Sequence, residues 1–240
     1  MTDHGTAKTI AFIQARMGSS RLPGKVLADI AGRPSLEQML RRVQLSKRLD
    51  GIVVTTTVNA IDDPVAALTE RLGVGLFRGD EQDVLGRMHD AALAFGATVV
   101  VRLTADCPMH DATVIDAALE MFADGRYDYV SNAVQRTYPD GLDVEVMSFE
   151  ALHRAHLEAV DRLHREHVTT YIRGVPAHLP NGDFRIGHLV NDQDFAALRW
   201  TVDTLADLDR VRRYYAALPD LFSWRQALAL ADRLEQLPQP

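Results

Sequence analysis

The chain has 240 residues, of which 47% are hydrophobic, and this is enough to bury the core of one large domain. Its 26 Lys and Arg residues against 33 Asp and Glu residues give a formal net charge of −7, which argues against general binding to nucleic acid or to an anionic membrane surface. No apolar run approaches the roughly 20 residues of a membrane span, and the single cysteine, Cys107, excludes an internal disulfide and suits a reducing cytoplasm.

Residues 1–8 are predicted to form a disordered tail, and from residue 9 onward strand-like and helix-like segments alternate. Apolar or β-branched runs predict strands at Thr9–Gln14 and at residues 52–57, 74–77, 98–103 and 127–131. Helical spacing of apolar side chains predicts helices at residues 35–45, 62–72, 84–95 and 112–122. This alternation predicts a single α/β domain over residues 9–240, with a mostly parallel central sheet sandwiched by helices.

The pattern changes in residues 133–190, where we expect a small β-rich flap beside the sheet. Tyr138-Pro139-Asp140-Gly141 has the composition of a turn, and the alternation after it predicts antiparallel β-structure at residues 142–146. Helices are predicted at residues 149–159 and 162–173, followed by a second β-like stretch at 177–189. A last core strand is predicted at residues 198–202, and two helices at 205–217 and 224–234 close the chain.

A loop with three cationic side chains directly follows the first predicted strand. The cations are Arg16, Arg21 and Lys25, and the small residues among them are Gly18, Ser19, Ser20 and Gly24. Small residues allow backbone N–H groups to close on an anion, and the cations neutralise several charges at once, so the loop predicts a triphosphate site. It is not the P-loop of ATPases, because Val26 stands where that motif needs Ser or Thr. A solvated basic turn is the alternative interpretation.

Two carboxylates follow predicted core strands much later in the chain. Asp106 lies after the apolar run at 98–103, and Asp203 lies after the predicted strand at 198–202. Ligands of open α/β sheets bind at the carboxyl ends of strands, so both side chains are expected near the cationic loop. Carboxylates beside a triphosphate predict a Mg²⁺ site. The alternatives are a turn or cap role for Asp106 before Pro108, and an N-cap role for Asp203 on the following helix.

Five segments in this order carry a family resemblance. They are residues 14–25, Asp106-Cys107-Pro108, and residues 136–146, 165–169 and 199–204. Together they resemble the cytidylyltransferase-like proteins of the spore-coat polysaccharide biosynthesis type, which are related to acylneuraminate and 3-deoxy-manno-octulosonate cytidylyltransferases. The resemblance spans residues 9–218. Ala105 and Thr170 depart from it, since relatives often have Gly and Pro there, and neither departure removes a charged group.

The resemblance implies a nucleotidyltransferase fold of the glycosyltransferase-A type and a homodimer. We expect residues 133–190 to form the interface, because this region lies outside the predicted sheet core. It implies that an acidic acceptor attacks the α-phosphate of CTP and releases pyrophosphate, with Mg²⁺ as the cofactor. The implied catalytic residues are Arg16, Lys25, Asp106 and Asp203, of which the two aspartates would bind the metal.

The resemblance also implies which residues contact the substrates. Those implied for the nucleotide are Ala15, Arg16, Gly18, Ser20, Arg21, Lys25, Arg78, Asp83 and Asp106. Those implied for the acceptor are Arg136, Tyr138, Asp143, Glu145 and His167. The identity of the acceptor stays open among nonulosonic acids, other acidic sugars and phosphonates.

Three other interpretations are weighed against this one. A glycosyltransferase using a ready-made nucleotide sugar would share the fold, and a non-catalytic nucleotide-binding protein would share the binding loop. Two histidine pairs with i, i+3 spacing, His153/His156 and His164/His167, could bind zinc, although no His-Glu-x-x-His motif accompanies them.

Overall fold

The computed structural model describes residues 7–179 and 182–235 and is built on a seven-stranded sheet with the order β5-β4-β1-β6-β8-β7-β9. Its strands are β1 (Thr9–Gln14), β4 (Gly51–Thr57), β5 (Gly75–Gly79), β6 (Val99–Thr104), β7 (Tyr129–Ser131), β8 (Glu145–Ser148) and β9 (Ile186–His188). Two short strands, β2 (Asp29–Ile30) and β3 (Arg33–Pro34), pair separately. Every neighbouring pair in the main sheet is parallel except those of β8, which runs antiparallel to β6 and β7. The mostly parallel sheet predicted from the sequence is therefore confirmed.

Helices cover both faces of this sheet, as predicted. They are α1 (Ser35–Val43), α2 (Asp63–Arg71), α3 (Val84–Ala94), α4 (Ala112–Ala123), α5 (Phe149–Glu158), α6 (Arg162–His167), α7 (Thr170–Arg173), α8 (Leu205–Ala217) and α9 (Trp224–Glu235). Short 3₁₀ turns lie at Lys25–Leu27 and Ala60–Asp62. None of the helices in the described part of the chain combines the length and the apolarity that crossing a bilayer would take.

The central strand β1 shows why the sheet has two cores. Ala11 and Ile13 pack with α1, α2, α4, α8 and α9 on one face, whereas Ile10 and Phe12 pack with α3, α5 and α7 on the other. Successive side chains of a strand point to opposite faces, so a strand covered on both sides must be apolar throughout. This explains the unbroken apolar run that predicted the strand.

The strands predicted for a β-rich flap belong to the main sheet instead. β8 inserts between β6 and β7, and β9 pairs with β7 at the sheet edge. Val146 enters one core and Met147 the other, so β8 is buried on both faces and cannot lie in a separate layer. The rest of residues 133–190 is made of α5, α6, α7 and connecting loops.

Two other predicted elements also differ from the structure. Residues 198–202 form no sheet strand, since Arg199 makes only an isolated bridge with Asp140, although Trp200 is fully buried. The helix predicted at 162–173 is broken into α6 and α7, because Val168 adopts a φ of 56° that a right-handed helix does not allow.

The tail predicted for residues 1–8 falls largely on residues 1–6, which lie outside the described residues. Lys8 belongs to the folded domain. Its backbone N–H donates to Thr98 Oγ1 at 2.8 Å, and its Nζ donates to the carbonyl of Phe95 at 2.7 Å.

The buried side chain of His110 should make the free energy of unfolding depend on pH. Its side chain is completely buried, and burial lowers its pKa from 6.5 to about 4. Between these values the unfolded chain binds a proton that the folded chain does not, so the free energy of unfolding should fall by roughly 3 kcal/mol as pH drops from 6.5 to 4. Urea unfolding at several pH values measures this loss, and His110→Leu should remove most of it. The exposed His178→Leu serves as the control, and an unchanged pH dependence in His110→Leu would contradict the assignment.

Candidate active site

A cavity of about 580 Å³ opens where β1 and β6 end. The two strands are parallel neighbours with Gln14 opposite Thr104, so the segments that follow them leave the sheet at one edge. The predicted site residues that line this cavity are Ala15, Arg16, Ser20, Arg21, Lys25, Asp106, His167 and Asp203. They come from distant parts of the chain. The cationic loop and Asp106 follow the adjacent ends of β1 and β6, whereas Asp203 and His167 reach the cavity from outside the sheet.

The cationic loop is folded around the backbone of Met17. The Met17 carbonyl accepts hydrogen bonds from Ser19 N at 2.9 Å and from Gly24 N at 3.0 Å, and Met17 N donates to Asp62 Oδ1 at 2.6 Å. Gly24 has a φ of 72°, a left-handed conformation that glycine adopts without steric cost. Asp62 is buried and also accepts from Thr57 Oγ1, so it fastens the loop to the end of β4. Hydrogen bonds within the protein therefore define the shape of this loop.

Lys25 lies between the two carboxylates predicted to bind metal. Its Nζ is 3.2 Å from Asp106 Oδ2 and 2.8 Å from Asp203 Oδ1. Arg21 Nη2 is 2.8 Å from the same oxygen of Asp203, and Arg199 Nη2 is 2.5 Å from the other. Lys25 therefore bridges two carboxylates that would otherwise repel each other, and Arg21 and Arg199 add positive charge at Asp203.

The Asp106 carboxyl is ionised in this setting. Burial alone would raise its pKa, but the charge of Lys25 and hydrogen bonds from Thr104, Lys25 and Cys107 outweigh burial and lower the pKa below its ordinary value. Burial raises the pKa of the neighbouring Cys107 thiol well above its usual range, which leaves the thiol protonated. Asp106 is thus available as an anionic ligand, and Cys107 is not placed as a nucleophile.

Asp203 reaches the site without the strand that was predicted to carry it. The backbone N–H of Val202 donates to the carbonyl of Asp106 at 2.7 Å, which ties the two aspartates together directly. The N-cap of α8 is Thr204, which forms a capping box with Asp207. The side chain of Asp203 is therefore not the cap, and it faces Lys25 instead.

Three residues implied for the nucleotide do not line the cavity. Gly18 lies within the loop, where a Cβ would stand 4.0 Å from Glu81 Oε1. Arg78 donates to the carbonyls of Thr57 at 2.8 Å and Asn59 at 3.0 Å. Asp83 caps α3 by accepting from Gly86 N at 2.8 Å, and it pairs with Arg165. Arg78 and Asp83 therefore stabilise the backbone around them through these hydrogen bonds.

Only His167 among the residues implied for the acceptor lines the cavity. Arg136 makes two hydrogen bonds to the Asp143 carboxylate at 2.5 and 2.7 Å. Tyr138 is 8% exposed and packs against Trp224, and Glu145 is 5% exposed beneath the cavity floor. None of these four residues lines the cavity, and Glu145 is joined to it through Arg102.

The histidine pairs considered for zinc are engaged with other rings and hydroxyls. The rings of His153 and His156 both stack on His89, with centroid distances of 5.1 and 4.1 Å. His164 Nδ1 lies 2.9 Å from Thr170 Oγ1. Within residues 7–179 and 182–235, no three His, Cys, Asp or Glu side chains are grouped to hold a metal ion.

Several residues of the site were missed in the sequence. Arg102 lines the cavity, and Arg199 joins Asp203 to Asp140 with Nη1 at 2.7 Å from the latter. A signal for Arg102 was present, since it is the one charged residue in the apolar run at 98–103. Arg87, Arg162 and Glu166 also line the cavity from the α3 and α6 side.

Comparison with known proteins identifies the family. Residues 10–237 match the family model described as cytidylyltransferase. The chain belongs to this family. Spore coat polysaccharide biosynthesis protein SpsF of Bacillus subtilis is 34% identical over 213 residues, which cover 85% of each protein. The resemblance described from the sequence motifs is confirmed, and this cytidylyltransferase family member is a nucleotidyltransferase.

Solved structures agree with this assignment. A cytidylyltransferase from Leptospira borgpetersenii matches with a TM-score of 0.89 at 30% identity over 97% of both chains. CMP:2-keto-3-deoxy-manno-octonic acid synthetase, solved in complex with CTP, matches with a TM-score of 0.63 at 19% identity, over 88% of this chain and 99% of that one. The second match shows a shared fold.

Proposed function

We propose that this cytidylyltransferase transfers CMP from CTP to an acidic sugar or a related acidic acceptor and releases pyrophosphate. The observation that carries the proposal is the meeting of Arg21, Lys25, Asp106 and Asp203 in one cavity at the sheet edge. The CTP complex of the synthetase with the same fold supports the choice of nucleotide. The spore-coat relative supports a role in the synthesis of a surface polysaccharide or glycan.

In this proposal the cationic side chains bind the nucleotide and stabilise the transition state. Arg16, Arg21 and Lys25 bind and orient the triphosphate, and their charges stabilise the negative charge that develops as pyrophosphate leaves. The loop is already fastened through Asp62, so little reorganisation is needed when the nucleotide binds. Positioning and charge neutralisation supply most of the acceleration in phosphoryl transfer, and no covalent intermediate with the protein is required.

Asp106 and Asp203 fit a divalent cation. Both offer carboxylate oxygens, the ligands that Mg²⁺ prefers, and one or two protein carboxylates suffice when phosphates complete the shell. They already hold a positive charge between them, the Lys25 ammonium group. When bound there, Mg²⁺ would neutralise charge on the phosphates of CTP.

Release of pyrophosphate tests the proposal. The protein is mixed with Mg²⁺, each of the four nucleoside triphosphates and a panel of acidic sugars, and pyrophosphate is measured. We expect release with CTP well above that with ATP, GTP or UTP, and only when an acceptor is present. Transfer from a nucleotide sugar without pyrophosphate would favour the glycosyltransferase alternative, and nucleotide binding without any turnover would favour a non-catalytic protein.

We propose a homodimer whose interface includes residues 133–190. Among the described residues of this region, Leu157 in the last turn of α5 is 66% exposed, and Val160, two residues after this helix, is 86% exposed. Exposed apolar surface of this kind is typical of protein interfaces. Light scattering at micromolar concentration should give the mass of two chains, and a monomer would refute the proposal.

A cytoplasmic location remains a prediction from the use of a single, buried cysteine.

A further inference from the structure

Arg102 is an unusual residue for its place in the fold. It lies in β6, the strand between β1 and β8, where its neighbours Val100, Val101 and Leu103 are fully buried. Its own side chain is only 17% exposed, yet it lines the cavity. Placing a guanidinium group among apolar side chains is costly unless the charge is paired, so a specific counter-charge is needed.

Glu145 supplies this counter-charge from the neighbouring strand. It lies directly opposite Arg102 in the β6–β8 register and accepts a hydrogen bond from Arg102 Nη1 through Oε2. Its other oxygen accepts from Tyr129 Oη at 2.5 Å and from Thr169 Oγ1 at 2.6 Å. Burial opposes ionisation, but the charges of Arg102 and Arg173 and these hydrogen bonds lower the pKa of Glu145. Both carboxylate oxygens are thus occupied below the cavity floor.

The hydrogen bonds of Arg102 fix its orientation. Nε donates to Gln14 Oε1 at 2.5 Å, and Nη1 donates to Glu145. Nη2 makes no hydrogen bond to the described residues, and it is not among their buried unsatisfied atoms. The guanidinium group therefore presents one accessible donor edge to the cavity while its other nitrogens are held in place.

Arg102 lies on the opposite face of the sheet from the part of the cationic loop that carries Lys25. Val100, two residues before Arg102 and on the same face of β6, packs in the core formed with α3 and α5. Val26, next to Lys25, packs in the core on the other face. Arg102 thus belongs to the α3 and α6 side of the cavity, where His167 also lies.

The turn that carries His167 is held by the same glutamate. Val168 has a φ of 56°, which is strained for a β-branched residue, and Thr169 N donates to the His167 carbonyl at 2.6 Å. The Thr169 hydroxyl is bound to Glu145. Strained backbone of this kind persists only where surrounding contacts hold it, and it is often found at functional sites.

We propose that Arg102 binds the carboxylate of the acceptor and that Glu145 acts as a positioning residue for Arg102 and for the His167–Thr169 turn. The inference rests on the proposed transfer of CMP to an acidic acceptor. It replaces the direct acceptor contact that the sequence implied for Glu145, because both oxygens of Glu145 are already taken. A charge-assisted hydrogen bond from a fixed guanidinium selects acidic over neutral acceptors.

Binding measurements on matched probes test this inference. The probes are 3-deoxy-manno-octulosonate, N-acetylneuraminate and their carboxamides, titrated calorimetrically into the CTP-bound protein without metal. CTP binding is measured separately. The variants are Arg102→Gln, Arg102→Lys and Glu145→Gln, with Arg126→Gln as the control, because Arg126 is an exposed arginine that pairs with Asp124 and lies outside this cavity. If Glu145→Gln does not fold, Thr169→Val is tested in its place, because it removes one of the hydrogen bonds to Glu145.

Arg102→Gln should weaken binding of a carboxylate probe by roughly 10-fold to 100-fold, the range for a hydrogen bond to a charged group. The carboxamides and CTP should change by less than threefold, and Arg102→Lys should recover part of the loss. Glu145→Gln should show the same selective loss as Arg102→Gln, while Arg126→Gln stays near wild type.

An equal loss of CTP affinity in Arg102→Gln would place Arg102 at the nucleotide and overturn the inference. Unchanged discrimination between acid and amide, or no binding of either acid to the wild-type protein, would overturn it as well. The proposed function is judged separately by pyrophosphate release. If wild-type protein releases pyrophosphate with CTP and an acidic sugar, the proposed function stands even when the binding data contradict the role proposed for Arg102.

Discussion

Lys25→Ala is expected to lower turnover with CTP by roughly 10²-fold to 10³-fold, the range seen when a preorganised charge that faces the transition state is removed. The fold should remain intact, because the Lys25 ammonium group contacts the cavity carboxylates and not the apolar core. Pyrophosphate release gives the turnover, and the thermal unfolding midpoint reports on the fold. Lys47→Ala is the control, since Lys47 is an exposed lysine outside this cavity.

The same substitution has a second expected effect that does not depend on turnover. Lys25 Nζ lies within 3.2 Å of Asp106 and within 2.8 Å of Asp203, so it occupies the space between the proposed metal ligands. Without it, the nucleotide-free protein should bind Mn²⁺ more tightly, which electron paramagnetic resonance of free Mn²⁺ can measure. Wild-type turnover in Lys25→Ala would show that the loop does not serve the triphosphate. Unchanged Mn²⁺ affinity would show that the carboxylates are not the metal site.

Asp106→Asn and Asp203→Asn should each reduce turnover by roughly 10³-fold or more, since each removes a charged oxygen ligand from the proposed Mg²⁺ site. Both should also weaken Mn²⁺ binding in the presence of CTP. The unfolding midpoint should stay near the wild-type value, because the asparagine side chain keeps its size and can still accept a hydrogen bond from Lys25 or Arg199.

Asp220→Asn is a suitable control for this pair. Asp220 also forms an ion pair with an arginine, Arg41, but it is 60% exposed and lies outside the cavity. Its loss should leave turnover unchanged. Activity retained by either Asp106→Asn or Asp203→Asn in Mg²⁺ would exclude that carboxylate as a required ligand, and a large fall in the unfolding midpoint would point to a structural role.

The elements that the sequence determined by itself are those with a strong local signal. β1 has the predicted bounds Thr9–Gln14, and α8 has the predicted bounds Leu205–Ala217. In both, the pattern of apolar side chains matches the period of the element, and Thr204 caps the helix. The cationic loop could also be predicted as a candidate triphosphate site from the sequence, because its small residues and cations are contiguous in the chain.

Tertiary structure decided the features whose partners are distant in the chain. Residues 198–202 are as apolar as a strand, but the backbone of Trp200 bonds to Asp140 and that of Val202 to Asp106. Periodicity reports that a segment is buried and carries no information on which backbone groups it will meet. The predicted meeting of Asp106 and Asp203 therefore came about by a different route, a loop-to-loop hydrogen bond.

The ion pair of Arg102 and Glu145 likewise could not be predicted from the local sequence. They are separated by 43 positions, and only the antiparallel insertion of β8 beside β6 places them opposite each other. The sequence pattern places Glu145 in an alternating strand and the family resemblance implies an acceptor contact for it, but neither pairs it with Arg102. Since the cost of burying a charge depends on its counter-charge, the role of such a pair is fixed only when strand order and register are known.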